Sequence, residues 1–333
     1  MMAALSSILK WIMPILVALY GVWYWQIIAS RRYCTSDALL NGRTAIITGG
    51  NSGIGRETAF DLAQRGARVI LACRNLQKAE DVAKDIKSST GNSEVVVRHL
   101  DLSSLQSVRE FAQQFIDTED RLDLLINNAG VAFVEEGAVT KENFDMCFGT
   151  NHFGHFLLTN LLLDLLKKSA PSRVINVSSG GHEAVFSPLN FTREAADGES
   201  QILYPYLNGY FKSKLANVLF SRELARRLKS TSVTSVSLHP GVIYTPIWAT
   251  MPNVNWIWTL YYYLSLPFVR LLLIDETAGA QTTLHCALDE SVAELSGKYF
   301  DNCAEKEPSP FAQDDELAKE LWTVSCEATG LKC

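Results

Sequence analysis

Residues 204–214 read YPYLNGYFKSK, three tyrosines and two lysines in eleven positions. Side chains four apart on a helix share one face, and Tyr210 with Lys214 is the tyrosine–lysine pair at that offset; Tyr204 meets Asn208, and Tyr206 meets Tyr210. An ammonium beside a phenol favours the phenolate and lowers a pKa that otherwise lies at about 10. Such a pair could give or take a proton near neutrality. The spacing also arises by chance in many chains, so its surroundings decide what it means.

A second stretch carries binding chemistry. TGGNSGIG (48–55) places Gly49, Gly53 and Gly55 in the spacing G-x-x-x-G-x-G after a short apolar run. Glycines there let backbone N–H groups approach a pyrophosphate at a helix N-terminus. No Lys-Ser/Thr pair follows the last glycine, which disfavours a kinase or ATPase loop and leaves a dinucleotide as the better ligand. The next apolar run ends in ACRN (72–75). A free adenosine 2′-hydroxyl usually meets an acid at that point; Arg74 suits a 2′-phosphate instead. The expected cofactor is NADP(H).

The elements that must position these residues alternate. TAIIT (44–48), ARVILAC (67–73), EVVVRHLD (94–101), LDLLINNAG (122–130), SRVINVSS (172–179) and VTSVSLHPG (233–241) read as strands. Between them lie helix-sized stretches: Ile54–Arg65, 75–89, Ser104–Asp120, a long one near 140–168, and one carrying Tyr210 to about Lys229. Val-, Ile- and Leu-rich strands separated by helices argue for a parallel sheet covered on both faces. The expectation is a single doubly wound α/β domain, Rossmann-type, over residues 41–333.

Composition excludes several classes. A net charge of −6 gives no support for nucleic-acid binding. The seven cysteines have no C-x-x-C spacing and fit neither a disulfide framework nor a zinc site. His152 and His155 lie in an apolar run where packing is the expected role, and no metal is expected. Trp11 to Ala29 is nineteen residues without a charge, enough to cross ~30 Å of hydrocarbon as a helix, with tryptophans and tyrosines suited to interfaces. Residues 1–32 therefore read as an N-terminal transmembrane anchor. Lys10 precedes the run, and Arg31 and Arg32 follow it, a small bias toward a cytosolic domain. The N-x-S/T patterns at Asn176 and Asn190 fall on a core strand and on a segment that would face the cytosol.

TGGNSGIG, NNAG (127–130), Asn151, NVSS (176–179), Tyr210-x-x-x-Lys214 and HPG (239–241), in that order, resemble the short-chain dehydrogenase/reductase family over about residues 41–300. ARVILACRN, NHFGHFLLTNLLL, SKLANVLFSRELARRL, SGKYFDNC and ELWTVSCEATGL are similar to its membrane-anchored retinol dehydrogenase branch. The resemblance implies that Tyr210 exchanges a proton with the substrate oxygen and that Lys214 tunes it and binds the nicotinamide ribose. Ser179, second of a serine pair, would bond the substrate oxygen, and Asn151 would hold a water. It further implies that Gly49, Ser52, Gly53, Ile54 and Gly55 line the phosphate turn, with Arg74 at the 2′-phosphate. Asp101 would meet the adenine, Asn128 and Gly130 the adenosine ribose side, and Pro240, Val242 and Thr245 the carboxamide. The 31-residue gap from Ser179 to Tyr210 is longer than in most members, and FTREAADGESQILYP (191–205) is expected to loop out near the site mouth.

After Thr245, thirty residues (246–275) hold one Arg and one Asp. This segment, about 245–275, follows the nicotinamide-contacting strand and suits a lipophilic substrate and a second contact with the bilayer. The expected reaction interconverts a lipophilic alcohol and its aldehyde or ketone, retinol and retinal first, with a sterol, polyprenal or fatty aldehyde as alternatives. A non-catalytic NADP(H)-binding scaffold is the alternative of another class. The expected setting is the endoplasmic reticulum or another intracellular membrane, and a homodimer is left open.

Overall fold

The computed structural model describes residues 13–14, 17–18, 20–22, 24–25, 29–135, 137–185, 207–243, 259–260, 262–265 and 273–332. Its centre is one eight-stranded sheet: β1 (Thr44–Thr48), β2 (Arg68–Cys73), β3 (Val95–His99), β4 (Leu124–Asn127), β5 (Ser172–Val177), β6 (Val233–His239), β7 (Tyr299–Asp301) and β8 (Ala304–Lys306). The spatial order is 3-2-1-4-5-6-7-8, parallel throughout except for the antiparallel β7–β8 pair. The order reverses between β1 and β4, where the strand ends open a crevice that open α/β sheets use for ligands.

Two helix layers cover the sheet, and the pleat assigns each strand residue to one of them. Ala45 and Ile47 of β1 point to the layer formed by α1 (Gly53–Gln64), α2 (Leu76–Thr90) and, further along the chain, the helix Glu276–Leu288. Ile46 points the other way, to α3 (Leu105–Thr118), α4 (Gly154–Leu161) and the helices Asn208–Arg227 and Asp315–Thr329. With the short α5 (Leu163–Lys168), these three later helices become α6 (208–227), α7 (276–288) and α8 (315–329) in chain order. Alternation of this kind buries both faces, which is why apolar side chains lie on both sides of the central strands.

Four departures from the expected layout have physical causes. The long helix near 140–168 is broken: Met146–Phe148 is one α-turn, Gly149–Phe153 a π-turn, and α4 and α5 follow. β7 and β8 are three residues each and carry no periodicity to read. Cys326 is disulfide-bonded, against the expectation from cysteine spacing, while Cys34, Cys73, Cys147, Cys286 and Cys303 are free. The chain also joins the domain before residue 41, because Arg65 Nη1 donates to Ser36 O at 2.8 Å and Ala38 O at 3.1 Å.

Nine of the nineteen residues of the uncharged run lie outside the described residues, and among the described residues no helix is long and apolar enough to cross a membrane. Within that run, Met13, Val17, Tyr20, Val22, Tyr24 and Trp25 are all exposed. The segment 191–205 that the sequence expects to loop out, Tyr206, Asn190 and Thr245 lie outside the described residues, as does most of 245–275.

Candidate active site

The turn from β1 into α1 can be built only with glycine at its close approaches. Gly49 sits at φ +66°, and a Cβ on Gly55 would fall 2.5 Å from Gly49 O and 2.6 Å from Asn128 Nδ2. Ser52 precedes α1 in extended conformation, and its hydroxyl caps nothing. The first N–H groups of α1 and the positive end of its dipole therefore face outward, as an anionic group requires. Thr48 braces the turn from β1: its hydroxyl accepts from Asn128 N and Ala129 N, both at 2.9 Å, and its carbonyl from Asn128 Nδ2 at 2.9 Å.

A cavity of about 710 Å³ runs from this turn across the strand ends. Gly49, Ser52, Gly53, Ile54 and Gly55 line one end, with Arg74, Asp101 and Lys78 beyond them. Asn128 and Gly130 line its middle. Ser179, Tyr210, Lys214, Pro240 and Val242 line the other end. The fold thus gathers into one space residues up to 194 positions apart, from Gly49 to Ile243. Its glycine cradle, open helix end and basic rim fit a nicotinamide dinucleotide.

At the far end, α6 brings Tyr210 and Lys214 onto one face, with Lys214 Nζ 5.6 Å from the phenol ring centroid. Lys214 is buried and donates to Val177 O at 3.0 Å. Burial pulls its pKa down to about 8, slightly opposed by Cys147. Tyr210 departs from the expectation of a depressed phenol. Burial holds it above its ordinary value, and the hydrogen bond from Ser179 only moderates the rise. Burial thus moves phenol and ammonium in opposite directions, and the pair lies further apart in pKa than the free side chains.

The serine pair divides its work. Ser178 is buried and its hydroxyl donates to Lys214 O at 2.6 Å, anchoring α6. Ser179 bonds the Tyr210 phenol and accepts from Gly181 N at 3.1 Å. Two histidines that spacing did not single out hold this loop. His182 Nε2 accepts from Ser309 N at 3.1 Å, so its proton lies on Nδ1, 2.7 Å from Ser179 O. His239 Nδ1 accepts from Gly180 N at 3.1 Å, and burial lowers its pKa to about 4, keeping it neutral.

Asn151 stands behind the cavity wall, fully buried in the π-turn, a bulge that recurs at functional sites. Its amide donates to Val131 O and Ser213 Oγ, both at 2.9 Å, and accepts from Val131 N at 2.8 Å. Its carbonyl faces His155 Nδ1 at 2.9 Å, whose Nε2 is 2.8 Å from Thr48 Oγ1. Since that hydroxyl accepts two N–H groups, its own proton goes to Nε2, and Nδ1–H donates to Asn151. The histidine expected to pack therefore also links the cofactor turn to the π-turn. A water held by Asn151 would use the second lone pair of its main-chain carbonyl or of Oδ1, each of which accepts one bond here. Above the site, Ala132 and Phe133 pack with Leu207, Tyr210 and Tyr262, an apolar wall.

Comparison with known proteins places this geometry. The short chain dehydrogenase family pattern matches residues 43–187. The chain is 46% identical to retinol dehydrogenase 11 of Mus musculus over 90% of both chains. It is also 46% identical to retinol dehydrogenase 13 of Homo sapiens, over 90% of this chain and 88% of that one. Among solved structures, an uncharacterized protein from Mycobacterium Paratuberculosis superposes with a TM-score of 0.69 at 33% identity, covering 91% of this chain and 99% of that one. The Pseudomonas aeruginosa RhlG/NADP active-site complex matches with a TM-score of 0.59 at 27% identity, over 79% of this chain and 95% of that one.

Proposed function

The chain belongs to the short-chain dehydrogenase family and is an oxidoreductase acting on CH–OH donors, and from that premise we propose that it interconverts a lipophilic alcohol and its carbonyl compound with NADP(H). Retinol and retinal are the first candidates, by likeness to the retinol dehydrogenases. The observation that carries the reading is the meeting of Ser179, Tyr210 and Lys214 in the same cavity as the glycine turn.

In this reading, a bound nicotinamide supplies or takes the hydride. Tyr210 gives its phenolic proton to the carbonyl oxygen in reduction and takes one back in oxidation. Ser179, held by Gly181 N, orients that oxygen. Lys214 stabilises the phenolate that forms, and Asn151 keeps the Gly130–Val131 backbone against it. Support for NADP(H) over NAD(H) comes from Arg74 and Lys78 on the cavity rim and no acid at the end of β2. The Phe133–Tyr262 wall supports an apolar substrate. Residues 1–32 serve as the membrane anchor of a domain spanning 41–333. The exposed apolar residues of that run support this, since a core helix would bury them. The segment about 245–275 borders the substrate and the bilayer, and the domain faces the cytosol from the endoplasmic reticulum or another intracellular membrane.

The test is an assay of the purified full chain with NADPH or NADH against retinal, long-chain aldehydes, polyprenal and ketosteroids. NADPH with retinal should give the largest kcat/KM. Tyr210→Phe should lower turnover by at least ~10²-fold, the scale of a positioned proton donor, with NADPH binding retained. Full activity in Tyr210→Phe would remove the proton donor from the proposal.

A further inference from the structure

Ser30 to Cys34 connect the apolar run to the domain, and the hairpin between β7 and β8 grips them. Asn302 and Cys303 form its turn at φ +50° and +56°, a left-handed pair that residues other than glycine adopt uncommonly. Asn302 Oδ1 accepts from Arg32 N at 2.9 Å, and its Nδ2 donates to Ser30 O at 3.1 Å. One side-chain amide thereby brackets Arg31 on both sides. Cys34 N adds a bond to Gln281 Oε1 on α7 at 3.1 Å.

The bracket aims Arg31 at the turn that leaves β6. Its Nη1 donates to Pro240 O at 3.5 Å, and a Cβ on Gly241 would lie 1.7 Å from Nη2. Gly241 holds φ +103°, so the absence of a side chain serves both the backbone and the guanidinium. Arg31 is half-buried, and among the described residues it makes no ion pair; Asp301, whose charge favours the guanidinium, is bridged by Lys306 at 3.1 Å. A guanidinium kept partly from water for the sake of a backbone carbonyl has a positional purpose or a cost without return. Pro240, Gly241 and Val242 line the cavity while Arg31 does not.

We propose that Arg31 is a positioning residue for the Pro240–Gly241–Val242 turn, which makes the segment leaving the apolar run a working part of the active site. The inference rests on the nicotinamide site proposed above.

The test uses the full chain in detergent or nanodiscs, with Arg31→Ala, Arg31→Lys and Arg32→Ala. Arg31→Ala should weaken NADPH binding, followed by cofactor fluorescence, about tenfold, the loss of one charge-assisted contact. Its thermal midpoint should stay with that of wild type, and millimolar guanidinium should restore part of the affinity. Arg31→Lys should recover part of it as well, because a lysine brings charge without the planar fork. Without cofactor, deuterium uptake at the Gly241–Ile243 amides should rise in Arg31→Ala and stay level in Arg32→Ala. Wild-type affinity and uptake in Arg31→Ala would overturn the proposal. So would a loss that follows a fallen thermal midpoint and that neither lysine nor guanidinium repairs. Wild-type protein that binds neither NADPH nor NADH would instead sink the proposed function, and the exchange comparison would still decide the role of Arg31.

Discussion

Lys214 is the residue whose environment has the clearest thermodynamic consequence. Burial lowers its folded pKa to about 8, against an ordinary value of 10.5. Between those values the unfolded chain binds more protons than the folded one, so this site adds stability as pH rises from about 8 toward 10.5. Below pH 8 the folded protein carries a buried ammonium at full cost. Lys214→Met should therefore gain most relative to wild type at pH 7, and the gap should close toward pH 10.5. Thermal midpoints of the two proteins across that range check it, and a gap independent of pH would place the ammonium in a solvated setting. The Tyr210–Lys214 pair was legible from its spacing because four residues on a helix fix a shared face. The choice between Ser178 and Ser179 was not, since it depends on which hydroxyl Lys214 O captures across 36 positions. Arg31 read as a flanking charge for the same reason: nothing local announces a contact with Pro240, 209 positions away.

Among the elements, α8 secures α6 and the π-turn from behind. Trp322 packs edge-on against Phe156 with centroids 5.0 Å apart, beside Phe220 at 5.9 Å, and Arg227 lies over its ring at 4.2 Å. Ser325 of the same helix meets His152 Nε2 in the π-turn at 2.8 Å. Trp322→Ala should cost about 3–5 kcal/mol, as for other buried aromatic truncations, read from urea unfolding. A loss below ~1 kcal/mol would show that α8 contributes little to holding the fold. The six long strands were legible because each is a run of apolar residues bounded by turns. The π-turn was not: Gly149–Phe153 contains no proline, and its apolar neighbours continue the helical pattern through it. What breaks the register is the set of bonds that Asn151 and His152 make to partners distant in the chain.

For the molecule as a whole, the proposed anchor predicts behaviour separate from catalysis. The full chain should resist alkaline carbonate extraction, while a chain beginning at Ser30, which keeps the contacts of Arg31, should come off, because a spanning helix holds far more firmly than surface contact. Protease added to sealed microsomes should digest the domain if it faces the cytosol. Protection would reverse the orientation, which rests on fewer free charges than the sequence suggested, since Arg31 is committed to Pro240. That commitment also sets a height. Ala29 ends the uncharged run two residues before Arg31, and two residues span at most roughly 7 Å, so with the proposed anchor in a bilayer the Pro240–Val242 side of the cavity would stand close to the lipid headgroups. The lipophilic substrate of the proposed reaction would then arrive by lateral diffusion within the leaflet without crossing water. Turnover should then follow its mole fraction in the lipid, so adding empty membrane should slow the reaction by surface dilution while the amount of substrate per litre stays the same.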